Sequence, residues 1–313
     1  MIWNFVKGML MGIADIVPGV SGGTIALLTG IYERLIGAIK SVGLDTLKIL
    51  FLEVKILGLK GLVPGIKKAW LQIDGTFLLS VVSGMAASIL LLSQAMHYLI
   101  ENVPMFIWPC FFGLVLGSVF FVGKQIKNWD IQKLLLALGG AIFAASIALS
   151  SPMQLEITAL NLFLSGAVAI CAMILPGISG GFILLLIGVY GPVIAAIKGF
   201  DLNVLLIFGL GCLVGIMSFS RFLSWLLSRF HDAVLAVLTG FMLGALVKLW
   251  PWKEVISYRV NSKGLEVPFL EQPTWPWLHP DSQLLLVLTG VSLGLGCVLL
   301  MDYLANKKKM AHK

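Results

Sequence analysis

Ile16-Val17-Pro18-Gly19-Val20-Ser21-Gly22-Gly23 interrupts an apolar run near the start of this chain, and Ile174-Leu175-Pro176-Gly177-Ile178-Ser179-Gly180-Gly181 interrupts another near its middle. Both breaks use the residues least suited to a helix interior. Proline removes a backbone N–H, and glycine adds conformational freedom. In hydrocarbon such a break is tolerated only where the freed backbone is buried in protein or lines a wet cavity. A break made twice with the same residues reads as a site.

The likeness runs past the motif. Residues 16–40 align without gaps to 174–198 with 15 identities in 25. Gly30, Tyr32, Ile39 and Lys40 fall on Gly188, Tyr190, Ile197 and Lys198. After a change of spacing Gly84 matches Gly211, and Gly113 and Gly117 match Gly240 and Gly244. Paired broken helices in two halves are the sequence mark of a transporter's binding site. The plainer alternative is a duplicated packing motif, since small residues also let helices approach closely. Close packing by itself does not call for Pro-Gly and Ser-Gly-Gly together.

Composition sets the class. Of 313 residues, 59% are hydrophobic and 12% charged, against roughly 25% charged in soluble domains. Mean hydropathy is +1.00. These values describe a polytopic membrane protein. The net charge of +7 lies in the loops between apolar runs, so it is no nucleic-acid footprint. Cys110, Cys171, Cys212 and Cys297 are isolated in or beside apolar segments, a spacing that fits neither a disulfide framework nor a metal site. The four histidines are scattered without ligand spacing. No metal and no cofactor is expected. The first apolar run carries one lysine and no small-residue cleavage pattern, and reads as part of the mature chain.

In chain order, apolar segments 5–17 and 24–39 flank the first break and form a hairpin over 5–40. Segment 41–75 mixes Lys48, Lys55, Lys60, Lys67 and Lys68 with Leu, Ile and Val, and is split by Pro64-Gly65. It reads as an amphipathic surface segment. Spans follow at 77–97 and 105–123 and close repeat one, residues 1–130. A connecting span occupies 131–150. Repeat two, 159–250, has a hairpin at 159–198 and spans at 203–224 and 232–250. A polar external loop, 251–281, carries Trp252, Trp275 and Trp277 beside Trp250, residues suited to a membrane boundary. The final span is 283–304. The fold class is thus all-α: one membrane domain of about six full spans plus two hairpins.

Charge decides how the hairpins enter. With two re-entrant hairpins and a cytoplasmic N-terminus, 17 of the 22 basic residues fall inside, including the Lys307-Lys308-Lys309 tail. Lys198, Lys248, Lys253, Arg259 and Lys263 fall outside. Interrupted spans would scatter the basic residues over both sides, against the positive-inside rule. Three spans separate the hairpins, so the second enters from the opposite face. The repeats are inverted and both tips meet near the midplane, as in alternating-access transporters.

Gly22-Gly23-Thr24 and Gly180-Gly181-Phe182 open the second arms. The first N–H groups of a helix lack internal partners, and glycine lets a ligand approach them. Ser21 and Ser179 either cap their helices or contact a ligand oxygen. Two such ends facing each other favour an anion, phosphate above all. Asp15 and Glu33 are charges within the hairpin arms and candidates to couple transport to protons; the alternative for each is an ion pair or a helix-end charge. Arg221 is placed to reach a phosphate near the inner face or to anchor that face. Lys248, beside Trp250-Pro251-Trp252, either holds an outer headgroup or snorkels.

Asp15-Ile16-Val17-Pro18-Gly19-Val20-Ser21-Gly22-Gly23-Thr24, with Thr29-Gly30-Ile31-Tyr32-Glu33, resembles the first signature of the bacterial polyprenyl-phosphate transporters. Leu175-Pro176-Gly177-Ile178-Ser179-Gly180-Gly181 resembles their second. Phe219-Ser220-Arg221-Phe222-Leu223-Ser224-Trp225 and Leu246-Val247-Lys248-Leu249-Trp250-Pro251-Trp252 resemble later family segments. The resemblance covers nearly the whole chain. It implies a multi-pass protein of the bacterial cytoplasmic membrane, and the charge count above puts both termini inside. Its substrate would be undecaprenyl phosphate, returned across that membrane for envelope synthesis.

The reading is therefore a transporter and not an enzyme, whose partners are a polyprenyl phosphate lipid and the bilayer, with no nucleic acid. Two alternatives stay open: an intramembrane lipid phosphatase, which would need an activated nucleophile or base beside the phosphate, and a small-anion transporter.

Overall fold

The computed structural model describes residues 1–17, 20–58, 62–260, 266–278 and 282–311. Side chains are described in the same ranges except at 44, 45, 47, 50, 54, 57, 97, 259–260, 266–270, 302 and 304–311. Pro18, Gly19, Lys60, Lys263 and the side chains of Arg259 and Lys307-Lys308-Lys309 lie outside.

Helix α1 (Ile2–Ile16) stops where the sequence breaks, because Val17 is extended (φ −91, ψ 121). The ring of a following proline disfavours the helical conformation in the residue before it. Ser21, also extended, caps α2 (Gly22–Leu28). The two helices run back along each other, and Lys7 Nζ donates to the Thr29 carbonyl at 2.7 Å. Gly30, at φ +69, then ends α2 in the left-handed conformation that glycine adopts without strain. Helix α3 (Tyr32–Ser41) starts afresh. The second arm read as one segment over 24–39 is thus two short helices, and the glycine at 30 is the reason.

The amphipathic stretch forms α4 (Leu44–Leu57) and α5 (Leu62–Gln72). Here also the break differs from the expected one. It falls at Gly58, at φ +62, while Pro64 sits in the first turn of α5, where no N–H is missed. Lys68 and Glu53 form an ion pair between these helices. Three long helices follow: α6 (Gly75–Asn102), α7 (Pro104–Gly123) and α8 (Ile131–Leu149).

Then the first pattern returns, displaced by 158 residues. Helix α9 (Ala159–Ile174) ends at an extended Leu175 (φ −73, ψ 129) before Pro176. Ser179 caps α10 (Gly180–Leu186), and α11 (Tyr190–Gly199) follows Gly188 at φ +76. The axes of α10 and α11 are bent by 107°. The arm expected as continuous over 182–198 is broken in the same way as its counterpart.

Helix α12 (Leu202–Leu249) counts 48 residues, about 72 Å of helix and far more than one bilayer core. It is two helices joined at Phe230, which is non-helical (φ −133, ψ 44). Among the described residues, five helices are long and apolar enough to cross a membrane: α6, α7, α8, α12 and the last, α13 (Leu284–Ala311). Dividing α12 at Phe230 makes six spans of these. Before α13, the stretch read as a polar loop contains an antiparallel hairpin of β1 (Lys253–Val260) and β2 (Glu266–Pro273). The chain is therefore mostly helical and not all-α. Val255, Ile256, Tyr258 and Val260 are strand formers, and their run is the signal that the loop composition hid.

Close backbone contacts at glycine lock the spans together. Gly84 of α6 backs onto the Phe5 carbonyl of α1, as Gly211 of α12 backs onto Phe163 of α9. Gly113 of α7 meets Val291 of α13, as Gly240 of α12 meets Ala137 of α8. Gly294 of α13 meets Cys110, as Gly140 of α8 meets Val237. Each pair holds the same repeat positions. Helix α8, which precedes the second hairpin, therefore does for that half what α13, at the far end of the chain, does for the first.

Candidate functional site

The two hairpin tips touch. Ser21 Oγ accepts from its own helix's Gly23 N–H at 3.1 Å and donates to the Met173 carbonyl at 3.2 Å. Thr24 Oγ1 accepts from Gly177 N–H at 3.1 Å. Both side chains are fully buried. Gly23 has no room for a side chain, because the Ile174 carbonyl oxygen lies where a Cβ would go. The Ser-Gly-Gly-Thr run of the first tip is thus spent on gripping the second.

The first tip also holds a carboxyl group of its own. Asp15 Oδ1 accepts from Gly22 N–H at 2.7 Å, at the start of α2. Asp15 Oδ2 is buried without a hydrogen-bond partner among the described residues, and so is the Tyr32 hydroxyl. The second tip is different. Met173 stands where Asp15 stands, so among the described residues no carboxylate reaches Gly180. Gly181 is open: the nearest atom to a Cβ there is Ser179 Oγ at 4.0 Å. Ser179 Oγ accepts only a long hydrogen bond from Phe182 N–H, 3.4 Å.

A cation fills out this second tip. Lys248, near the end of α12, lines a hollow of about 20 Å³ with Gly177, Ser179 and Phe182, room for about one water. Its ammonium lies 5.0 Å from the Phe182 ring centroid. Lys248 Nζ also reaches Glu271 Oε2 of β2 at 3.5 Å, and Lys253 Nζ of β1 reaches the same oxygen at 3.4 Å. Lys253 lies over the Trp108 ring, 3.7 Å from its centroid. Its burial, only partly offset by Glu271 and reinforced by Lys248, lowers its pKa to about 8. Trp250 and Trp252 pack edge to face at 5.6 Å, and their ring N–H groups donate to the Thr274 and Ser282 carbonyls. The hairpin is so pinned beside the second tip.

The other expected residues lie apart from the tips. Arg221 Nη1 donates to the Met217 carbonyl at 2.7 Å and Nη2 to Val42 at 3.4 Å, against the turn between α3 and α4. Glu33, 64% exposed, bonds His231 Nε2 at 2.9 Å, and His231 Nδ1 faces Asp232 at 3.2 Å, at the bend of α12. Lys253, Glu271 and His231 were not singled out from the sequence. The lysine and glutamate meet only because of the β-hairpin, and the histidine meets Glu33 across 198 residues.

Residues 11–267 match the model of a family described as undecaprenyl phosphate translocase-like. The chain belongs to that family. Among its relatives, a polyprenyl-phosphate transporter of Vibrio cholerae is 46% identical over 309 residues, 97% of each chain. A polyprenyl-phosphate transporter of Staphylococcus aureus is 30% identical over 269 residues, 79% of this chain and 86% of the relative. No solved structure is a significant match. As a family member with several apolar helices long enough to span a bilayer, this undecaprenyl phosphate translocase-like protein is a multi-pass membrane protein.

Proposed function

We propose that this protein moves polyprenyl phosphate across the bacterial cytoplasmic membrane, for reuse of the carrier lipid in envelope synthesis, with both termini on the cytoplasmic side. The hairpins enter from opposite faces as inverted repeats, and the touching tips form the barrier between them. The phosphate crosses at the tips while the isoprenoid tail stays in lipid. What carries the reading is the contrast between the tips. One helix start holds a carboxylate, Asp15 on Gly22 N–H; at the other Met173 replaces Asp15, Gly181 is open, and Lys248 lines a small hollow with the capping Ser179. A carboxyl group already sits on one helix start, and a lysine stands beside the other. The relatives' names supply the lipid.

On this reading Ser179, Gly180, Gly181 and Lys248 receive the phosphate from the outer side. Protonation of Asp15 loosens its hold on Gly22, and parting of the two tips then exposes Ser21, Gly22, Gly23 and Thr24 to the phosphate, which couples lipid movement to protons. Arg221 takes the headgroup toward the inner face, and the Glu33–His231 pair gates that face. Short-chain polyprenyl phosphate binding to purified protein tests the proposal, with inorganic phosphate and polyprenyl diphosphate as competitors. Binding of the monophosphate lipid that is lost in Ser179→Ala and Lys248→Gln supports it. Absence of binding, or equal competition by inorganic phosphate, sinks it.

A further inference from the structure

Glu271 occupies an unusual position. Its Oε2 is shared by two ammonium groups, Lys248 at 3.5 Å and Lys253 at 3.4 Å, and all three side chains are at least four-fifths buried. Two cations converging on one acceptor oxygen outnumber it in charge. Both contacts are long for a charge-assisted bond, which runs about 2.7–2.9 Å. The carboxylate thus holds the lysines loosely. Aromatic rings take up the surplus: Trp108 faces Lys253 and Phe182 faces Lys248. Lys248 also lines the hollow with Ser179, so one cation belongs to both the tip and the β-hairpin.

We infer that Glu271 is an internal stand-in for a phosphate monoester, which displaces it from Lys248 and Lys253 when the headgroup arrives at the second tip. A doubly charged phosphate balances two lysines where a single carboxylate cannot. The hollow beside Ser179 has room for about one water and is too small for a phosphate. Entry therefore requires Lys248 to swing, and that motion strips Glu271 of one partner. Exchange of anions makes each step a trade of one charge contact for another, with no lysine left bare in a low-dielectric setting. Lys253 becomes a substrate-binding residue, and β1–β2 an intrinsic competitor for the site. The inference rests on the proposed function for the lipid, but the exchange itself concerns the phosphate group.

The test is binding of short-chain polyprenyl phosphate, and separately of inorganic phosphate, to the full-length protein. Glu271→Gln is expected to tighten binding about tenfold, the scale of one charge-assisted contact. Glu271→Asp, which draws the charge back by one methylene, gives a smaller gain and serves if the glutamine variant folds poorly. Lys253→Gln weakens binding about tenfold. Glu254→Gln, an exposed carboxylate on the same hairpin, leaves it unchanged. A gain seen only with the lipid assigns the site to the lipid headgroup. A gain seen equally with inorganic phosphate keeps the exchange and overturns the lipid reading. Unchanged or weaker binding in both Glu271 variants, or an equal gain in Glu254→Gln, overturns the exchange while leaving the transport proposal standing if wild type binds the lipid.

Discussion

Ser21 Oγ donates to the Met173 carbonyl across 152 residues of chain, at 3.2 Å. The same oxygen caps α2 through Gly23 N–H. One hydroxyl therefore ends a break in the first half and closes the junction with the second. Ser21→Ala removes both bonds and takes the hydroxyl donor from the part-buried Met173 carbonyl. We expect a loss of about 1–2 kcal/mol, read as a lower midpoint of thermal unfolding in detergent. Ser179→Ala, which removes one long cap, should cost less.

The paired glycines separate packing from binding. A methyl at Gly23 would sit 2.5 Å from the Ile174 carbonyl oxygen, while a methyl at Gly181 meets nothing closer than 4.0 Å. Gly23→Ala is expected to destabilise by about 1–3 kcal/mol through overpacking. Gly181→Ala is expected to unfold like wild type yet bind polyprenyl phosphate more weakly. Unfolding curves and binding isotherms on the two variants check both halves of this statement.

Asp15 holds Gly22 N–H at 2.7 Å with one oxygen and leaves the other without a partner among the described residues. Asp15→Asn keeps the shape but removes the proton site. In proteoliposomes the variant should bind polyprenyl phosphate but lose the dependence of its transport on a pH gradient. Transport that still follows the gradient would remove Asp15 from the coupling.

Lys253 titrates near 8 because burial opposes its charge. Below that pH the ammonium is present, and above it the group turns neutral. Affinity for a phosphate at Lys248 and Lys253 should therefore fall as pH rises through about 8. Lys253→Arg, which stays protonated, should flatten the profile. Binding measured from pH 6.5 to 9.5 shows whether the fall is there.

What the sequence made legible follows from how local each feature is. The breaks before Pro18 and Pro176 are local, since proline acts on its neighbour, and the helix ends at Ile16 and Ile174 could be read directly. Gly30 and Gly188 were visible as matched glycines, but their left-handed conformation was not, so two arms were read as continuous. The identity of Asp15 was plain and its partner was not, because the carboxylate reaches forward over a segment with no period of its own. Lys253 and Glu271 meet through strand register, which no spacing rule for helices reveals. Nor did the match between α8 and α13 stand out: their contacts depend on single glycines, Gly140 and Gly294, in otherwise unlike apolar sequences.

That last pairing bears on how the chain is made. Val291, which lies against Gly113, follows it by 178 residues. At about 5–20 residues per second a ribosome needs about 10–35 s to cover that distance. The second half, α8 through α12, is contiguous, so α8 and the part of α12 that packs on it are made without a long wait. The first half is synthesised first and completed last, with one flank of α7 waiting in the bilayer until the final helix arrives. A chain cut short before residue 284 would therefore injure the half that was made earliest.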